Sequence, residues 1–176
     1  MKCALVSRSA PNEKNISVLM ENAPGSLSRI VGVFSQRGYN VDSLCVAETD
    51  DPSLSRLTIA TQGDNKVIEQ IIKQMNKLID VLKVTELTEA AHVERELVLV
   101  KVVADNEAAR SEIIRNVDIF RAKILDVSSV NYTIELTGAS DKLDAFITTL
   151  GHSSTIVESA RTGVCGLARG ERSLTP

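Results

Sequence analysis

Ile16, Val18 and Met20 alternate with Ser17, Leu19 and Glu21, a period of two that predicts a strand with one buried face. Asn22 to Gly25 form a turn. Leu27, Ile30, Val31 and Phe34 then fall at i, i+3, i+4 and i+7, the stripe of an amphipathic helix. Arg37-Gly38 supplies a basic last turn and a stop. A second strand is predicted over Asn40 to Glu48, an acidic turn over Thr49 to Ser53, and a third strand over Ser55 to Gln62. Gly63-Asp64 opens a helix carrying Val67, Ile68, Ile71, Ile72, Met75 and Leu78, and Val81 to Glu86 reads as a fourth strand.

The second half repeats this order at an offset of about 80 residues, as a repeat of pattern and not of residues. Leu97 to Val103 is a strand, and Glu107 to Phe120 a helix with Ile113, Ile114 and Val117 on one face. Lys123 to Val127 and Tyr132 to Thr137 are strands. Ser140 is placed to cap a helix carrying Leu143, Phe146, Ile147 and Leu150, which Gly151 ends, and Thr155 to Arg161 is the last strand. Each half reads as a strand-helix-strand-strand-helix-strand unit of the α+β class: a four-stranded antiparallel sheet with two helices on one face. The polar stretch between the halves is the natural linker. The other sheet face needs cover or must be polar, and a second subunit is the simplest cover in so small a unit.

Apolar residues make up 43% of the 176, enough for a core, but aromatics only 3% with no Trp. Such a chain is poorly equipped to stack single-stranded nucleic acid. Its net charge of −3 gives no basic surplus for phosphate backbones. No nucleic-acid partner is expected. No apolar run reaches membrane-spanning length, and the opening residues lack a signal-peptide core, so the expectation is a soluble cytoplasmic protein with no membrane partner. Cys3, Cys45 and Cys165 are too few and too scattered for a disulfide framework or a zinc site, and no metal site is expected.

Catalytic candidates are thin. No Gly-x-Ser-x-Gly elbow is present. His92 falls in the linker and His152 just past a helix stop, both expected as solvated surface residues. Asp50-Asp51 suits turn formation better than acid–base work, because an exposed tip lacks the burial that tunes a carboxyl. Gly163 to Arg172 is glycine-rich without a phosphate-binding fingerprint, and reads as a terminal coil. No catalytic residue is assigned.

The turn after the first strand offers more. A helix start leaves backbone N–H groups unpaired, and its dipole favours an anion. Gly25 lets a ligand approach the main chain, Pro24 stiffens the approach, and Asn22 adds an amide. Such a site suits a carboxylate held without a neighbouring charge. The plainer alternative is that Pro-Gly makes the turn and Ser26 caps the helix. Asn40, at the start of the second strand, either satisfies local backbone or reaches a ligand across a subunit boundary.

At these residues the chain resembles a known family. "ISVLMENAPGSLSRIVGVFSQRGYNVDSL" and "TDDPSLSRLTI", with "AHVERELVLVKV", "EIIRNVDIFRAKILDV" and "GVCGLARGE", are similar to the regulatory (small) subunits of acetohydroxyacid synthase, also called acetolactate synthase. The resemblance runs from about Asn15 to Arg172, several separated motifs agreeing in order and spacing. It implies two ferredoxin-like βαββαβ domains, the first an ACT domain that binds an amino-acid effector. The boundaries that follow are a tail over residues 1–14, the ACT domain over 15–87, a linker over 88–95, the second domain over 96–172 and a tail over 173–176.

The resemblance implies a regulatory subunit with no catalysis and no cofactor of its own. Its partner is the large catalytic subunit, which holds thiamine diphosphate, FAD and magnesium. The small subunit activates that partner in branched-chain amino-acid synthesis and confers feedback inhibition by L-valine. The effector-binding positions carried over are Asn22, Gly25, Ser26 and Leu27 on one subunit, with Asn40 and Val41 of the neighbour, in a homodimer formed through ACT domains. Two other readings compete. An acylphosphatase-like hydrolase shares the strand-turn-helix entry but places an Arg in its phosphate-cradling loop; here the turn has none, and Arg29 falls on the expected solvent side. An ACT-type transcriptional regulator needs a DNA-reading element, and no helix-turn-helix signal or basic patch is visible.

Overall fold

A computed structural model describes residues 13–175. The elements, in chain order, are β1 (Glu13–Glu21), α1 (Ser26–Arg37), β2 (Ser43–Glu48), β3 (Leu54–Gln62), α2 (Asn65–Met75), β4 (Val81–Glu86), β5 (His92–Val103), α3 (Glu107–Phe120), β6 (Lys123–Val127), β7 (Asn131–Gly138), α4 (Ser140–Ser153), β8 (Ile156–Arg161) and β9 (Cys165–Ala168). The chain divides into two compact units. One holds residues 13–94 together with 163–175, the other 95–162. The expected N-terminal tail lies outside the described residues except for its last two positions, which begin β1.

In the first unit four antiparallel strands run in the order β2-β3-β1-β4. Ile16 stands opposite Ile59 and Val18 opposite Leu57, so one face of the sheet is continuously apolar. Ile30 and Phe34 of α1 and Ile68, Ile71 and Met75 of α2 close that face into a core, each buried aliphatic or aromatic side chain contributing about 1.5–3 kcal/mol. The ends of α1 are set by glycine. Gly38 lies in the left-handed region at φ 67 and stops the helix, and the Tyr39 N–H returns to the Phe34 carbonyl at 3.0 Å in a Schellman-type closure.

The opposite face of this sheet carries Asn15, Ser17, Cys45, Arg56, Thr58 and Lys83, as the register requires. A second subunit was expected to cover it. The chain's own last residues run over part of it. The Val164 N–H reaches Ser43 Oγ at 3.4 Å, Gly166 packs so closely on Leu87 that a Cβ there would lie 2.6 Å from it, and Lys83 Nζ donates to the Thr175 carbonyl at 3.2 Å. β9 thus replaces the terminal coil expected over Gly163 to Arg172. A four-residue strand with glycine in it shows no alternation to read.

The second unit repeats the order as β6-β7-β5-β8. Val98, Val100 and Val102 face Leu136, Ile134 and Tyr132, and the core is completed by Ile113, Val117, Leu143, Phe146, Ile147 and Leu150. Phe120 and Phe146 meet as a tilted pair with centroids 5.2 Å apart. The fold is α+β, with two βαββαβ sheets, as the periodicities predict.

Several local expectations are corrected. Ile114 is 45% exposed and the buried face of α3 uses Asn116 instead. Ser140 is the first residue of α4 and not its cap; its hydroxyl donates to Glu96 at 3.0 Å. Gly151 does not end α4, which runs to Ser153, since one glycine in a last turn costs only about 1 kcal/mol. β2 starts at Ser43, leaving Asn40 and Val41 in the loop before it, and β5 already begins at His92, inside the expected linker.

Candidate binding site at the first helix start

Gly25 is the residue before α1 and sits at φ 90, with no side chain capping the helix. Positive φ is why glycine stands here. The expectation that Ser26 caps the helix is not met. Ser26 is the first helical residue, 1% exposed, and its Oγ is buried with no hydrogen-bond partner. The Ser26 N–H is taken by the Ala23 carbonyl at 3.2 Å and the Arg29 N–H by Gly25 at 3.0 Å. The N–H groups of Leu27 and Ser28 lie between them, in the turn where a helix has no acceptors of its own. An uncapped helix start, an exposed glycine and an unpaired buried hydroxyl therefore coincide.

Asn22 is held by the hairpin loop beside it. Its N–H donates to the Ser53 carbonyl at 2.7 Å, and its Nδ2 donates to Glu48 Oε1 and the Pro52 carbonyl, both at 3.0 Å. With the amide nitrogen engaged, Oδ1 is the group Asn22 can turn to a ligand, and it suits an ammonium. The hairpin tip is built by Asp51, whose Oδ1 accepts from the Ser53 N–H at 2.9 Å and its hydroxyl at 2.7 Å. Those two bonds hold the Asp51 carboxyl below its ordinary range. This is turn-forming work, as the sequence suggested.

Sequence reasoning missed Arg29. It does not simply face solvent. Its side chain folds back over the turn, so that a Cβ on Gly25 would lie 3.1 Å from Nη1. It is fixed there by Asp80, which takes Nε in a short hydrogen bond and Nη2 at 2.8 Å. Asp80 is nearly buried while Arg29 is about half exposed. The hydrogen bond from Arg29 holds the Asp80 carboxyl below its usual range, and the same bond raises the guanidinium. The site expected to lack a neighbouring charge has one. The partners are 51 residues apart in the chain, which hides the pair from any local pattern.

Asn40 and Val41 lie at the other end of α1. Asn40 Nδ2 donates to Asp42 at 2.7 Å, and its carbonyl accepts from Thr61 Oγ1 at 2.6 Å. Val41 packs against the core, as does Leu27. The structure brings Asn22, Gly25, Ser26 and Leu27 together. It separates them from Asn40 and Val41 by the twelve residues of α1, about 18 Å at 1.5 Å per residue.

The histidines join no such site. His152 is exposed in the last turn of α4. His92 is not the solvated residue expected: its ring is 21% exposed, with Nδ1 2.9 Å from the Ala90 carbonyl. Among the described residues no three His, Cys, Asp or Glu gather as metal ligands, and no helix is long and apolar enough to cross a membrane.

Against known proteins, residues 16–83 match a family described as the AHAS small subunit-like ACT domain, and residues 95–170 match one described as the small subunit of acetolactate synthase. The acetolactate synthase isozyme 3 small subunit of Salmonella typhimurium is 58% identical over 157 residues, covering 89% of this chain and 96% of its own length. The acetolactate synthase small subunit of Haemophilus influenzae is 52% identical over 159 residues, covering 90% and 97%. The crystal structure of the acetolactate synthase small subunit from Thermotoga maritima superposes with a TM-score of 0.81 at 44% identity, covering 91% of this chain and 99% of that one.

Proposed function

The chain belongs to the small subunits of acetolactate synthase, and on that footing we propose that it is a non-catalytic, cytoplasmic regulator that activates the large catalytic subunit and makes it sensitive to L-valine. The partner is the subunit that carries thiamine diphosphate, FAD and magnesium. The observation that carries the effector reading is the uncapped start of α1, with Gly25 at positive φ and the Ser26 hydroxyl buried and unpaired. The valine carboxylate sits against the Leu27 and Ser28 N–H groups, where the helix dipole favours an anion. Its ammonium faces Asn22 Oδ1.

A second copy completes the site. Asn40 and Val41 cannot reach Gly25 within one chain, and they precede β2, which is an edge strand with unpaired backbone groups to offer a neighbour. A two-fold dimer built on this edge brings Asn40 and Val41 of each subunit to the other's helix start. Valine bound there favours one arrangement of the dimer, and that arrangement couples less productively to the large subunit. Valine acts only through its differential affinity for the two arrangements. A coupling of about 1–3 kcal/mol corresponds to roughly 5–150-fold in affinity.

The hydrolase reading is disfavoured because Arg29, which lies against the turn, has Nε and Nη2 committed to Asp80. The test is calorimetric titration of the full chain with L-valine, followed by assay of the large subunit with and without it. Saturable binding at about one site per subunit or per two supports the sensor. Activation without any heat of binding removes direct sensing and leaves the activator role standing.

A further inference from the structure

Cys45 and Cys165 lie 120 positions apart in sequence and yet share one cleft of about 310 Å³ on the open face of the first sheet, with Arg56, Thr58 and Glu48 beside them. Cys45 projects from β2 and Cys165 from β9. Both are free thiols, Cys45 half-buried and Cys165 exposed, and both open into this cleft. Neither sulfur has a part in the binding site at α1. We propose that Cys45 and Cys165 form a redox-active dithiol that reacts with small-molecule disulfides and closes into an intrachain bridge pinning β9 to β2.

The chemistry follows from the two environments. Burial, and then the neighbouring sulfur, push the Cys45 thiol up, so it is the poorer first nucleophile. Cys165 is exposed and open to solvent, with the Arg56 side chain lining the same cleft. The Cys165 thiolate attacks one sulfur of the disulfide, forming a mixed disulfide and releasing one small thiol. Cys45 then gives its proton to water and displaces the second small thiol from Cys165. Two protein thiols are oxidised to one disulfide, and one external disulfide is reduced to two thiols. Gly163 and Val164 hold the segment against Ser43, two residues before Cys45, which keeps the two cysteines on the same side of the sheet.

The experiment uses the full chain carrying Cys3→Ser, so that Cys45 and Cys165 are the thiols left. It is equilibrated in glutathione buffers of rising oxidised fraction, quenched with an alkylating agent and mapped by mass. The expected result is joint protection of both thiols, a mass loss of two hydrogens, and a linked peptide pair spanning Cys45 and Cys165. With Cys45→Ser added, Cys165 is expected to accumulate as a lasting glutathione adduct. Trypsin cleavage after Arg161 should then release the C-terminal peptide from this variant but leave it attached to the oxidised parent. Independent alkylation of the two thiols, stable adducts while both are present, or bridges found only between chains would overturn the proposal.

Discussion

The two halves share one fold and end their first strands in opposite ways. In the first half, Gly25 precedes α1 at positive φ with no side-chain cap. In the second, Asn106 precedes α3 in extended backbone, and its Oδ1 accepts from the Ala109 N–H at 2.9 Å. The arginine four residues later repeats the contrast. Arg29 grips a carboxylate, that of Asp80. Arg110 grips carbonyls, Ala104 O at 2.8 Å and Ser129 O at 2.7 Å. The second helix start is satisfied by its own side chain, while the first has no side-chain cap. One architecture therefore carries an uncapped helix start in one copy and a capped one in the other, by changes at a few turn positions.

The halves differ most in how they bury charge, and here the largest effect is expected. Glu96, 2% exposed, accepts Arg161 Nε at 2.8 Å and Nη2 at 2.5 Å, and Arg161 Nη1 reaches Asp144 at 2.5 Å. Removing the shared cation strands a buried carboxylate. Arg161→Met should destabilise the second half by about 3–5 kcal/mol. Urea unfolding followed by hydrogen exchange in α3 and α4 should show the loss there and leave α1 and α2 little changed. Equal losses in both halves would mean that the two do not unfold as separate units.

Next in size is Gly25→Asp, which closes the open helix start. The new carboxylate takes the anion site, meets Arg29 and forces a strained positive φ. L-Valine affinity should fall about a hundredfold or more, close to 3 kcal/mol, with activation of the large subunit largely kept. Asn40→His should weaken valine more mildly. The reverse operation, Asn106→Ala, opens the closed start. It should cost about 1 kcal/mol in the second half and create no valine site, because α3 has no glycine at positive φ to admit a ligand.

How much of this was legible follows from the range of each interaction. The alternation of Ile16, Val18 and Met20 and the stripe of Ile30 and Phe34 are local, and they placed the strands, the helices and the core. Pro24-Gly25 marked the turn, and the resemblance singled it out among similar turns. What escaped depends on partners distant in sequence. Arg29 with Asp80 and Ser140 with Glu96 are fixed by strand order and register, which no window of neighbouring residues contains. β9 is too short and glycine-rich to announce itself. Its place comes from Leu87, which leaves room for a residue without side-chain bulk at Gly166, and from Ser43, which packs on Gly163.

The smallest effect sharpens the contrast between the two arginines. Asp80 titrates and the carbonyls that hold Arg110 do not. In the folded state the Arg29 hydrogen bond keeps the Asp80 carboxyl below its ordinary value, about 3.9 in an unfolded chain. A depressed carboxyl contributes stability that is fully present above the unfolded value and is lost as pH falls through the folded one. The brace on the first helix start should therefore loosen below about pH 4, while the Arg110 contacts hold. Because Arg29 is about half exposed, the effect should be modest and shrink as salt rises. A carboxyl chemical-shift titration of Asp80 should give a midpoint below about 3.9, with the Arg29 Nε proton sharpening above it and exchanging faster beneath. Asp80→Asn should abolish the pH dependence at α1 and leave α3 untouched. An Asp80 midpoint at or above the ordinary value would mean that Arg29 does not rest on this carboxylate in solution, and the guanidinium would then be available to a bound anion directly.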